Sequence, residues 1–90
     1  MSVTREIEVV NEKGLHARAS ARLVELVEGF EASAEVARNG ETATGDSIMG
    51  LLMLAASRGT TVEVTTDGPD EAELMDAIEA LFADRFGEPM

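Results

Sequence analysis

The sequence predicts an α+β fold, a two-layer sandwich in which one mostly antiparallel sheet packs against helices. Three observations support this prediction. The hydrophobic period changes from two to 3.6 and back along the chain, so that strand and helix patterns follow in the order βαββαβα. An Asn39-Gly40 pair separates two short strand patterns. Finally, 90 residues with 44% hydrophobic content suit one domain over residues 1–90.

The first strand and the first helix are joined by a glycine-containing turn. Val3, Arg5, Ile7 and Val9 alternate with Thr4, Glu6, Glu8 and Val10, which is typical of a half-buried strand. Gly14 is the expected turn residue in the segment 11–15 that follows. An amphipathic helix is predicted from Ala17 to about Glu28, where Gly29 stops it. Its buried stripe is expected to comprise Ala19, Leu23, Val24, Leu26, Val27 and Phe30.

The middle of the chain contains a predicted β-hairpin. Short strands are expected over Ser33–Arg38 and Glu41–Thr44. The Asn39-Gly40 pair between them favours a type I′ turn, because both central positions of that turn need a positive φ.

The last part of the chain predicts a short helix, a strand and a final helix. The short helix runs from Ile48 to about Ser57, with Ser47 or Asp46 as its N-cap and Gly59 as its stop. Thr60–Thr66 is β-branched and alternating, as strands are. Pro69 is expected at the first position of the last helix. Leu74, Ile78, Leu81 and Phe82 form the predicted buried stripe of that helix. The patterns leave the order of the strands in the sheet open.

Composition excludes several classes of function. The net charge of −11 disfavours nucleic acids and anionic membranes as partners, and the absence of Trp and Tyr disfavours base stacking. With no cysteine and one histidine, neither a thiolate nor a His-rich metal site is possible, so no metal or cofactor is expected. No targeting segment or apolar run long enough for a membrane span is recognised. A cytoplasmic protein is therefore expected.

The single histidine, His16, lies where the loop meets the first helix. Free amides at a helix start, here those of Ala17 and Arg18, favour an anion. Arg18 adds a planar cation that suits phosphate oxygens, and imidazole is nucleophilic near neutral pH. No general base, metal cage or glycine-rich nucleotide loop stands nearby in the sequence. The pattern therefore indicates a phosphate carrier and not an enzyme with its own cofactor.

Two motifs in the sequence resemble those of the HPr family of phosphocarrier proteins. They are Gly14-Leu15-His16-Ala17-Arg18 and Asp46-Ser47-Ile48-Met49-Gly50-Leu51, with the Asn39-Gly40 hairpin between them. The resemblance covers essentially the whole chain. It implies an open-faced sandwich with a four-stranded antiparallel sheet and three helices on one side.

The resemblance also implies a role in the phosphoenolpyruvate-dependent phosphotransferase system. His16 would accept a phosphoryl group from enzyme I on Nδ1, its pros nitrogen, and pass it to an enzyme IIA protein. Arg18 matches the family's active-site arginine. Ser47 matches a serine that HPr kinase/phosphorylase modifies in some members, although a plain N-cap role is the competing interpretation. The chain would act as a monomeric carrier and would not itself be an enzyme.

The second helix carries more apolar residues than one face can bury. Ile48, Met49, Leu52 and Met53 cannot all point inward from so short a helix. One interpretation is ordinary core with a single exposed residue. The other is an exposed patch of Ile48, Met49 and Leu52 that, together with Arg22, docks partner proteins beside His16.

Three alternatives remain open on the sequence. The Ala19-Ser20 pair after the arginine looks like members that serve nitrogen-related or regulatory chains, which would act by phosphorylation-dependent binding and not in sugar uptake. A second alternative is a non-catalytic module that binds anions at the start of the first helix. The third is an enzyme that uses His16 as a general base, although no second catalytic group is placed by motif.

Overall fold

The fold was described from a computed structural model that covers residues 1–90. Its elements are β1 (Ser2–Glu8), α1 (Ala17–Glu28), β2 (Ser33–Arg38), β3 (Glu41–Thr44), α2 (Ile48–Met53), β4 (Thr61–Asp67), α3 (Glu71–Ala83) and a final 3-10 turn (Arg85–Gly87). The predicted order βαββαβα is confirmed. The bounds of α1, β2 and β3 agree with the prediction, and β4 is displaced by one residue.

The four strands form one sheet in the order β1-β4-β2-β3, and every neighbouring pair is antiparallel. Because strand residues alternate between faces, register sets which residues share a face. Val64 pairs with Val36, and its neighbour Val62 pairs with Ile7, so these apolar side chains lie on the buried face. The opposite face is polar, and there the hydroxyls of Thr4 and Thr65 are 3.0 Å apart across the strands. The sandwich is therefore open on one side, as the resemblance implies.

The core lies between the sheet and the helices and is almost entirely aliphatic. It comprises twenty buried apolar residues, of which the largest fully buried ones are Phe82, Phe86, Leu23, Leu51, Leu74, Met75 and Ile78. Leu26 in α1 and Phe30 just after it are predicted core residues but are only half-buried. Ser20, which the predicted stripe of α1 omits, is fully buried. In α3, Leu81 belongs to the predicted buried stripe but is only half-buried. Met75, which the prediction omits, is fully buried.

The prediction for the end of α2 is wrong by four residues. The helix ends at Met53 and not near Ser57. Ala55 adopts a left-handed conformation with φ +52°, which a continuing helix does not allow. The carbonyl of Ala56 accepts a hydrogen bond from the Leu15 amide at 2.9 Å, and the Arg38 guanidinium donates to the Leu54 carbonyl at 3.0 Å. Contacts with other elements thus take over the carbonyls that a longer helix would use.

The start of α3 also differs from the prediction. Pro69 precedes the helix by two residues, and Asp70 is the N-cap. The Asp70 carboxylate accepts a hydrogen bond from the Glu31 amide at 2.8 Å, which ties the turn to the connection between α1 and β2. Glu71 and Glu73 lie in the first turn, where the helix dipole favours negative charge.

None of the helices is long and apolar enough to cross a membrane.

Candidate functional site

The loop before α1 is held by its own hydrogen bonds and by the segment that follows α2. Asn11 is fully buried, and its side-chain amide donates to the Gly14 carbonyl at 2.8 Å. Gly14 has φ +65°, and a Cβ at this position would lie 2.4 Å from the Ala56 carbonyl oxygen. The next residue, Leu15, is buried and donates its amide to the same carbonyl. The residue that follows this loop, His16, is therefore placed by a close backbone contact.

His16 is the N-cap of α1. Its backbone is extended, with φ −77° and ψ −176°, and its carbonyl accepts the first helical hydrogen bond from Ser20 at 2.9 Å. The histidine side chain does not cap the helix. The amides of residues 17–19 donate to no other group of the chain. These amides and the positive end of the helix dipole are the anion-binding features expected from the sequence.

Arg18 shares a surface pocket with His16. The pocket is formed by these two residues, by Glu12 and Lys13 of the preceding loop, and by the C-terminal tail 88–90. Arg18 is exposed and forms no ion pair. Although the chain carries a net charge of −11, Lys13 and Arg18 place two cations beside this pocket. The predicted residues His16, Ala17 and Arg18 are thus together at one helix start.

The structure adds a carboxylate that sequence reasoning missed. One carboxylate oxygen of Glu88 is hydrogen-bonded to Nε2 of His16, and the other accepts a hydrogen bond from the side-chain amide of Asn11 at 2.9 Å. Its side chain is 9% exposed, against 29% for His16. Burial alone would raise the pKa of Glu88, but the hydrogen bonds from Asn11 and His16 and the charges of His16 and Lys13 outweigh it and lower that pKa.

The C-terminal tail reaches His16 because of a buried aromatic residue. Phe86 is fully buried and packs against Phe82, with ring centroids 4.7 Å apart and ring planes inclined at 58°. Phe86 and Gly87 both have a positive φ, so the chain reverses sharply after α3. The Glu12 amide then donates to the Met90 carbonyl at 3.1 Å. A late apolar residue such as Phe86 is the one signal in the sequence that the tail returns to the core.

Ser47 serves as the N-cap of α2. Its hydroxyl oxygen accepts a hydrogen bond from the Gly50 amide at 3.0 Å, and the residue is half-buried. These contacts are those of a plain N-cap, which is one of the two interpretations of Ser47 that the sequence allows. A regulatory role for Ser47 stays a prediction.

The residues of the predicted docking patch are largely exposed. The exposed fractions of Met49 and Ile48 are 71% and 39%. Leu52 is half-buried and lines a shallow groove with His16. Met53, at 74%, adds a further exposed apolar residue to α2. Arg22 is exposed on α1, and its guanidinium lies against Gly87 of the tail.

Comparison with known proteins gives a consistent result. A family model described as "PTS HPr component phosphorylation site" matches residues 3–84. The phosphocarrier protein HPr of Cupriavidus necator is 52% identical over 84 residues, which cover 93% of this chain and 94% of that protein. The phosphocarrier protein NPr of Escherichia coli K12 is 38% identical over 89 residues, covering 98% and 99%.

The fold is equally close to solved structures. A crystal structure of HPr from Thermoanaerobacter tengcongensis superposes with a TM-score of 0.89 at 34% identity and covers 100% of this chain and 99% of that one. The HPr of Bacillus anthracis gives a TM-score of 0.84 at 33% identity, with 88% and 94% covered. Fold, motifs and sequence identity extend over nearly the whole chain, and the chain therefore belongs to the HPr family of phosphocarrier proteins.

Proposed function

We propose that this chain accepts a phosphoryl group from enzyme I on Nδ1 of His16 and passes it to an enzyme IIA protein. The observation that carries the proposal is the combination at the start of α1. A half-exposed imidazole stands beside three amides without partners and an arginine without an ion pair. Nucleophile, anion-binding amides and cation are the parts that holding a phosphoryl group requires.

The transfer itself needs only the imidazole and the groups around it. The lone pair of Nδ1 attacks phosphorus, a P–N bond forms, and the bond from phosphorus to the donor atom of enzyme I breaks with its electron pair left on the donor. The amides of Ala17 and Arg18, which have no partner within the chain, and the Arg18 guanidinium would bind the phosphoryl oxygens. Onward transfer to enzyme IIA is the same step in reverse. No cofactor takes part.

The exposed side chains of α2 supply the docking surface in this proposal. Ile48 and Met49 are exposed, Leu52 lines a shallow groove with His16, and Arg22 would add a cation on α1. Burying such a surface stabilises a complex by roughly 25 cal/mol per Å² of apolar area, before the entropic cost of association. Enzyme I and enzyme IIA would use it in turn. The half-buried Ser47 at its edge is the position where HPr kinase/phosphorylase would act.

A nitrogen-related regulatory role is the second candidate. Its support is the relationship to NPr of E. coli, which is 38% identical to this chain. The identity to HPr of C. necator is higher, at 52%, and favours the first candidate. Both roles begin with phosphorylation of His16 and differ in the protein that reads it.

Incubation with enzyme I and labelled phosphoenolpyruvate tests the proposal. The chain should gain one acid-labile phosphate, and His16→Ala should gain none while melting normally. Glu63→Gln is a suitable control because Glu63 lies on the exposed face of the sheet. An anion-binding module would take up no label, and an enzyme with His16 as general base would take up none and would turn over a substrate of its own. Label on His16→Ala would contradict the proposal.

A further inference from the structure

We propose that Glu88 is a positioning residue for His16, which holds the imidazole as its Nε2–H tautomer and so leaves the Nδ1 lone pair free to attack phosphorus. The inference rests on the proposed function, since it concerns the same histidine. It adds a residue from the far end of the chain, outside the motifs that carry the family resemblance.

The Glu88 carboxylate is fixed from two sides. One oxygen is hydrogen-bonded to Nε2 of His16, and the other accepts from the side-chain amide of Asn11 at 2.9 Å. Asn11 is itself fully buried and is held by its second bond to the Gly14 carbonyl. A carboxylate that is 9% exposed and anchored on a buried amide has little freedom to turn away. Its direction is therefore set by the loop that also positions His16.

The identity of the acceptor decides the tautomer. An ionised carboxylate can only accept hydrogen bonds, so the nitrogen that faces it must carry the proton. In a neutral imidazole the other nitrogen then holds the lone pair. The lowered pKa of Glu88 keeps it ionised at neutral pH. The other charged groups around the pocket are Glu12, Lys13 and Arg18, and none of them hydrogen-bonds to the ring.

The same contact serves the chemistry in both directions. When Nδ1 gives its lone pair to phosphorus, the ring gains positive charge, which the carboxylate at Nε2 stabilises. The Nε2 proton stays in place throughout. When the phosphoryl group leaves, the bonding pair returns to Nδ1 and the ring departs as neutral imidazole, a far better leaving group than imidazolate. No net proton transfer accompanies either step.

Glu88→Gln is the sharpest test, because an amide has one accepting and one donating end. If its oxygen faces the amide of Asn11, its NH₂ group faces Nε2 and favours the Nδ1–H tautomer. The imidazole nitrogens can be distinguished by ¹⁵N NMR of the free protein above the pH at which the ring titrates. We expect wild type to show the Nε2–H tautomer and Glu88→Gln to show a substantial Nδ1–H population.

Glu12→Gln is the matched control, since Glu12 is an exposed carboxylate of the same pocket without a contact to the ring. It removes the same charge and should keep the wild-type tautomer. The initial rate of phosphoryl acceptance from enzyme I should be about tenfold lower for Glu88→Gln than for Glu12→Gln, as expected for loss of one charge-assisted hydrogen bond. Glu88→Ala removes the carboxylate without placing a donor opposite Nε2. It should also accept the phosphoryl group more slowly than Glu12→Gln, and it provides a second test in case Glu88→Gln does not fold.

The outcomes separate this inference from the proposed function. An unshifted tautomer in Glu88→Gln, or equal rates for Glu88→Gln and Glu12→Gln, would overturn the role of Glu88. Absence of label on wild type would instead overturn the proposed function, and the tautomer measurement would still decide whether Glu88 holds the ring. A shifted tautomer with a slower rate supports both.

Discussion

Substitution of Gly14 by alanine should destabilise the protein far more than the same change at Gly59. Both glycines have a positive φ, +65° and +88°, so alanine meets the left-handed region at both positions at a cost of roughly 1–2 kcal/mol. Their surroundings differ. A Cβ at Gly14 would lie 2.4 Å from the Ala56 carbonyl oxygen and 2.9 Å from the Ser57 Cα, whereas a Cβ at Gly59 would meet nothing within 4 Å.

The extra cost at Gly14 follows from what the loop must give up to relieve the clash. Because both close atoms are backbone, the loop has to move away from the segment that follows α2. The Leu15–Ala56 hydrogen bond of 2.9 Å is then lost, worth about 0.5–1.5 kcal/mol, and the buried Leu15 is partly exposed, worth up to roughly 1.5–3 kcal/mol. We expect the Gly14→Ala variant to be about 2–4 kcal/mol less stable than Gly59→Ala.

Urea denaturation followed by far-UV circular dichroism measures this difference, since the chain has no Trp or Tyr to report by fluorescence. In thermal melts the two variants should differ by roughly 10 °C or more. Folded Gly14→Ala should also accept phosphate more slowly, because a displaced loop misplaces His16. If the free energies of unfolding of the two variants agree within about 0.5 kcal/mol, the close approach of Gly14 to Ala56 does not constrain the loop.

Three further predictions concern the site. Arg18→Ala should lower the turnover of phosphoryl transfer roughly tenfold to a hundredfold, because the guanidinium stabilises charge in the transition state, and Arg18→Lys should restore only part of it. If steady-state kinetics change only in the half-saturating concentration, Arg18 is a docking contact instead. Ser47→Asp should slow phosphorylation by enzyme I about tenfold. It should shift the melting temperature by only a few degrees, since an aspartate N-cap would also accept a hydrogen bond from the Gly50 amide. An unchanged rate would show that the docking surface lies elsewhere. The free energy of unfolding of wild type should exceed that of Glu88→Gln by a constant amount above about pH 5. This difference should shrink as the pH falls below 4.5, the pKa of Glu88 in the unfolded chain, because folding lowers that pKa. If chemical denaturation gives the same difference at about pH 6 and about pH 3, the Glu88 carboxylate is not stabilised by these contacts.

Several features governed by local sequence agree with the prediction. The bounds of α1 follow from the apolar stripe and Gly29, and the Asn39-Gly40 turn has φ +51° and +81° as a type I′ turn requires. The grouping of His16 with Arg18 was also predictable, because two residues in the first turn of one helix need no tertiary information. Here propensity and local geometry decide the structure.

Features that depend on distant contacts could not be predicted. The end of α2 is set by Leu15 and Arg38, which bind the carbonyls of Ala56 and Leu54 from other elements. The order of the strands depends on which pairing buries the most apolar surface, and no periodicity reports it. Glu88 reaches His16 through the reversal at Phe86, a residue whose positive φ is unusual for an aromatic side chain.

The central position of β4 has a consequence for how the chain folds. β4 is the last strand to be synthesised, yet it is the partner of both β1 and β2. The pairing of Glu8 with Thr61 spans over half the chain, so it closes a long loop before it returns any stabilisation. Only the hairpin of β2 and β3 can form from neighbouring residues.

A growing chain therefore carries β1 as an unpaired strand until β4 becomes available. Two-state folding of such a topology is slower than that of a helical bundle, because non-local pairing dominates. During this interval β1 could pair with the strands of other molecules. Arg5, Glu6 and Glu8 place charges along it, which discourages such pairing in the same way that charged residues protect the edge strands of finished sheets.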